Sequence, residues 1–136
     1  MSNALNYMAL ARKAGRIELG EEPVGAAARA QHARLVIVAS DASDHTWRRA
    51  LSFVAGTEQK CIRIPFTKDQ LGEAIGRTAL AIAAFTDPAL ALAFSKALPQ
   101  PDPELLESLE KRTQRIAQRQ KEAKVHQRNK RTGKKK

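Results

Sequence analysis

Apolar positions along the first hundred residues switch repeatedly between a helical and a strand-like pattern. Leu5, Met8, Ala9 and Ala11 recur at helical spacing, with Asn3 placed to cap the segment and Gly15 to end it in the left-handed region. Arg16 to Leu19 predicts a short strand. Gly20-Glu21-Glu22-Pro23 then opens an alanine-rich helix to about Gln31, because acidic residues and proline both suit a first helical turn. The run Leu35-Val36-Ile37-Val38-Ala39 is apolar at every position and predicts a strand buried on both faces.

The alternation continues. Asp44 is read as the cap of a helix through about Val54, ended by Gly56, and Cys61 to Pro65 predicts a strand. Thr67 and Gln70 have the spacing of a capping box for a short helix closed by Gly76. Leu80 to Phe85 predicts another buried strand, and Asp87-Pro88 starts a helix to about Leu98. Helices alternating with strands predict an α/β layered sandwich. Pro99, Pro101 and Pro103 mark a boundary, dividing the chain into a domain over residues 1–98 and a basic extension over 99–136. That extension begins with a helix using Leu105, Leu106, Leu109 and Ile116. Beyond Ile116 only alanines and Val125 are apolar, so fraying is expected from about Ala117 and disorder by Gln127.

Charge sharpens this division. The 136 residues carry a net +10. From Lys111 to Lys136 there are twelve Lys or Arg and one acid, Glu122, which leaves +11 there and −1 on the other 110 residues. A segment so basic and so poor in apolar residues suits neutralisation of nucleic-acid phosphates. Its candidate contacts are Lys111, Arg112, Arg115, Arg119, Lys121, Lys124, Arg128, Lys130 and Arg131.

Catalytic chemistry finds little support. Cys61 is the single cysteine, lies in an apolar strand and is read as a core residue. His32, His45 and His126 are scattered, and no Cys, His and carboxylate set has metal-ligand spacing. Ser40 and Asp41 adjoin without a histidine arrangement to activate a nucleophile. Arg48 and Arg49 beside Trp47 could instead form a stacking platform for a base. The sequence therefore predicts no enzyme, metal, cofactor or small-molecule substrate. It lacks a secretory signal in Met1–Leu10 and any run of eighteen apolar residues, so a cytoplasmic protein without membrane association is expected, and a monomer.

Three motifs carry a resemblance to a known family. The run Ala11-Arg12-Lys13-Ala14-Gly15-Arg16-Ile17-Glu18-Leu19-Gly20 resembles the opening of the kink-turn RNA-binding ribosomal protein superfamily (the ribosomal L-seven-Ae family). Leu35 to Ser43 resembles its central strand and following loop, and Leu71-Gly72-Glu73-Ala74-Ile75-Gly76 its third signature. Together they cover roughly residues 4–98, and the Ala39-to-Ser43 loop is similar to that of bacterial YlxQ-like members. The resemblance implies a three-layer α/β/α sandwich around a four-stranded mixed sheet, which binds structured RNA, ribosomal RNA being one candidate, where three loops converge. The site it implies combines Lys13, Arg16, Gly20, Glu21 and Glu22 with Ser40 and Asp41, and with Gly72, Gly76 and Arg77. Kink-turn binders place Asn-Glu two and three residues after the Gly20 equivalent and Lys at the sixth, where this chain has Glu22, Pro23 and Ala26. An RNA-binding accessory protein of translation or ribosome assembly is the expected function. The first rival is a protein-interaction module whose tail alone contacts nucleic acid, without selectivity. A second is a substrate-recognition fragment of an RNA-modifying enzyme, since related folds resemble add-on domains of RNA methyltransferases.

Overall fold

The computed structural model describes residues 3–131, with side chains through Val125. Ten elements follow one another: α1 (Asn3–Lys13), β1 (Ile17–Leu19), α2 (Glu21–Arg29), β2 (Leu35–Val38), α3 (Asp44–Val54), β3 (Cys61–Arg63), α4 (Lys68–Ala74), β4 (Ile82–Phe85), α5 (Pro88–Lys96) and α6 (Pro103–Arg131). The strands form one mixed sheet in the order β1-β4-β2-β3. Strand β4 runs antiparallel to both β1 and β2, while β2 and β3 are parallel. Helices α2 and α3 cover one face. Helices α1, α4 and α5 cover the other, where α5 packs on α1 and on α6. The expected three-layer α/β/α sandwich is thus the observed architecture.

Central strands β2 and β4 are buried at every position, as their uninterrupted apolar sequences require. Phe85 and Phe94 meet there with ring centroids 4.9 Å apart. Local capping explains where the helices begin. The Thr67 hydroxyl accepts from the Gln70 N–H while the Gln70 side chain accepts from the Thr67 N–H, completing the expected capping box. Ser43, rather than Asp44, caps α3: its hydroxyl accepts from the Thr46 N–H and Asp44 becomes the first helical residue. Either side chain can cap, and the earlier one takes the role while the later carboxylate favours the helix dipole.

Gly72 is buried in the turn that closes α4. A Cβ there would lie 2.7 Å from both Ala79 N and Ala79 Cα and 2.8 Å from the Arg77 carbonyl oxygen. All three are main-chain atoms, so relief requires backbone movement. Gly72→Ala is expected to cost about 2 kcal/mol or more, in the range of overpacked cores, and to lower the melting temperature by roughly 8 °C. Thermal unfolding followed by circular dichroism checks this, and an unchanged midpoint would show that the 77–80 segment yields freely.

Helix α6 continues past Ala117 to Arg131, because no glycine or proline follows Pro103 in it and most of its residues are strong helix formers. Its first turns belong to the core: Leu105 is 8% exposed and Leu109 3%. From Ala117 through Val125 every residue is exposed. Residues 132–136, part of the segment expected to be disordered, lie outside the described residues.

Candidate nucleic-acid interface

Sheet register gathers three connections at one end of the sandwich. Leu19 pairs with Ala83 at the end of β1, Val38 with Ile82 at the end of β2, and Val38 with Arg63 at the end of β3. The connections to α2, α3 and α4 therefore leave side by side. Hydrogen bonds fix them: Gly20 N–H donates to the Ile82 carbonyl (3.0 Å), Ala39 N–H to that of Ala81 (2.9 Å) and Ser40 N–H to that of Phe66 (2.9 Å). The Asp41 carboxylate accepts from the Lys68 N–H (2.8 Å), which joins the loop after β2 to the start of α4. Leu80 N–H donates to the Lys68 carbonyl (3.0 Å), bringing the segment after Gly76 back to the same end.

Gly20 turns the chain from β1 into α2. Its φ of +97° is open to glycine and strained for other residues, and no side chain caps the helix behind it. The amides of Glu21 and Glu22 therefore face outward as donors, while Pro23 supplies none. Glu21 turns toward α3, its Oε1 3.5 Å from Arg49 Nε, whereas Glu22 is exposed. Ser40 and Asp41 are exposed beside them, and Lys68 is half-buried.

Other expected site residues lie elsewhere. Arg16 stands at the opposite end of the sheet, its carbonyl accepting from the Thr86 N–H (3.0 Å). Lys13 is exposed on the last turn of α1, and its neighbour Arg12 donates from the guanidinium to the Ile75 carbonyl beside Gly76. Gly76 and Arg77 are exposed at that turn, but Gly72 is inside it, so its part is packing rather than contact with a ligand. Trp47 is half-buried against the core with the Arg63 guanidinium 4.9 Å above its ring. Arg49 lies over Phe53 instead (5.1 Å), so the stacked pair uses an arginine from β3 rather than the helix neighbours of the tryptophan.

On α6, Lys111 pairs with Glu107 (3.1 Å) and Arg115 with Glu58 (3.1 Å). The Arg115 hydrogen bond and charge hold Glu58 below its ordinary carboxylate pKa. Arg119, Lys121 and Lys124 are exposed and Arg112 is half-buried. The side chains of Arg128, Lys130 and Arg131 lie outside the described residues. Sequence reasoning missed Arg34, which burial and the charge of Arg119 push below its ordinary pKa while Asp87 opposes. A cation immediately before an all-buried strand was the available signal. It also missed Gln59, buried, whose side chain accepts from the Ala33 N–H and donates to the Ala28 carbonyl, fixing the loop that carries Glu58. Burial pushes the Cys61 thiol up to about 12, which keeps it protonated and unreactive near neutrality.

No group of three or more His, Cys, Asp or Glu among the described residues could hold a metal, and no helix there is long and apolar enough to cross a membrane. What the fold defines is a sandwich presenting a loop cluster and an uncapped helix start at one end of its sheet. The chain belongs to the ribosomal protein L7Ae/L30e/S12e/Gadd45 family, which matches residues 2–91. Among solved structures it is similar to a protein of unknown function from Bacillus halodurans, with 24% identity and a TM-score of 0.68 over 74% of this chain and 100% of that one. It is also similar to a 15.5 kD RNA-binding protein of Giardia lamblia, with 20% identity and a TM-score of 0.58 over 78% of this chain and 83% of that one. No curated protein matches it.

Proposed function

We propose that this protein is a non-enzymatic RNA-binding accessory factor of translation or ribosome assembly, acting as a cytoplasmic monomer. The reading rests on family membership and on one observation: Gly20, Ser40-Asp41 and the start of α4 converge at one end of the sheet. There the uncapped first turn of α2 offers amide donors to phosphate, and glycine allows the RNA backbone to approach closely. A kinked or internally looped RNA suits such a surface, since a regular A-form major groove excludes side chains. Helix α6 supplies long-range attraction from its lysines and arginines.

Titrating the full-length, isotopically labelled chain with a hairpin RNA containing a purine-rich internal loop tests this assignment. Amide shifts are expected at Gly20–Glu22, Ser40–Asp41 and Lys68. Shifts confined to α6 would overturn the site and favour the rival, a protein-interaction module with an unselective tail.

A further inference from the structure

The outer face of α2 is bordered by a groove lined by Pro23, Ala26 and Ala30, by Arg16, Arg34 and His32, and by one carboxylate, that of Glu18. It begins near the Gly20 turn, where Pro23 lies, and ends at the far end of the sheet, where Arg34 N–H donates to the Phe85 carbonyl (2.7 Å). Helix α2 has nine residues, so the two ends stand roughly 14 Å apart, a span of a few nucleotides.

At that far end α6 brings up further arginines. Arg34 and Arg112 each feel the charge of the other or of Arg119, and each is pushed below its ordinary pKa, first by burial. Arg34 Nε and Arg112 Nη1 are buried without a hydrogen-bond partner. Two carboxylates face the cluster. Glu58 is engaged by Arg115, and Asp87 accepts from the Leu90 N–H at the start of α5 (2.9 Å). Half-buried cations held together with donors unmet are costly unless an anion completes them.

We propose that bound RNA follows this groove from the Gly20 end and that Arg34, with Arg112 and Arg119, clasps a backbone phosphate at the opposite end of the sandwich. The inference rests on the RNA-binding reading and extends it: the footprint runs along α2 rather than stopping at its first turn. Phosphate contacts of this kind fix register without reading bases.

Arg34→Gln in the full chain tests it, measured with the internal-loop hairpin carrying a short single-stranded extension. Removal of one phosphate contact is expected to weaken binding three- to tenfold and to lower the log–log salt slope by about 0.7 to 0.9. Arg34→Lys should recover most of the slope. Melting temperature reports on folding, and relief of repulsion from Arg112 and Arg119 should leave it unchanged or raised. Arg48→Gln, exposed on α3 and outside the groove, serves as the control for net charge. Equal effects at positions 34 and 48, or none at 34 while the Gly20-end amides still shift, would overturn the path and leave the RNA reading intact. Failure of the wild-type chain to bind the hairpin at all would overturn both.

Discussion

Removal of residues 111–136 is expected to weaken binding to every RNA and to flatten its salt dependence. The deleted segment carries +11 and leaves a body of −1. If it neutralises on the order of six phosphates, the log–log slope for a single strand falls by about four, which amounts to a few hundredfold less change in affinity between 50 and 200 mM salt. The cut falls after Leu109, so the two buried leucines of α6 stay in place. The exposed pairs of Lys111 with Glu107 and Arg115 with Glu58 are lost, but solvent-screened surface pairs contribute little to stability. The truncated protein should therefore fold with nearly the melting temperature of the full chain. Filter binding or fluorescence anisotropy across a salt series checks the slope, and an unchanged slope would remove α6 from the electrostatics.

A second large effect is expected at the start of α2. Glu22, Pro23 and Ala26 are all exposed, so exchanging them leaves the core untouched. Glu22→Asn introduces a donor beside an acceptor for base edges, where a carboxylate only accepts. Pro23→Glu restores the acidic member and a backbone N–H in a helical turn where that donor needs no intrahelical acceptor. Ala26→Lys places a cation in the groove along α2. Each good charged or bidentate contact contributes roughly 1–3 kcal/mol, so two of them would tighten binding to a kink-turn RNA by about one to four orders of magnitude. The wild type should bind that RNA weakly, with little preference over a regular duplex. Both proteins are best compared without residues 111–136, so that tail charge does not mask the difference. Tight wild-type binding would show that Glu22 and Pro23 are no obstacle. No gain in the triple variant would move the RNA contact away from α2.

Most of the fold was legible because its signals are local. The all-apolar runs at Leu35–Val38 and Ile82–Phe85, the Thr67–Gln70 pair and the positive φ at Gly15, Gly20 and Gly76 each announce an element or its end within a few residues. The site was only partly legible. The run from Arg12 to Gly20 reads as one motif, yet β1 separates Arg16 from Gly20 and sends them to opposite ends of the sheet. Gly72 likewise reads as a surface glycine of a signature, and only the return of Ala79 against it reveals a packing role. The grouping of Arg34 with Arg112 and Arg119 joins residues about eighty positions apart, which no local pattern encodes.

Helix α6 has 29 residues, a rod of roughly 43 Å, and its buried leucines all lie in its first two turns. Arg112, Arg115 and Arg119 still lie beside Arg34 and Glu58 of the sandwich, whereas Lys121 and Lys124 beyond them stand exposed on the bare part of the rod. For the proposed RNA complex the expected consequence is kinetic: such an arm enlarges the target for diffusional encounter and raises the association rate. On that reading, the exposed cations of α6 can tune the speed of capture with little change to the loop cluster.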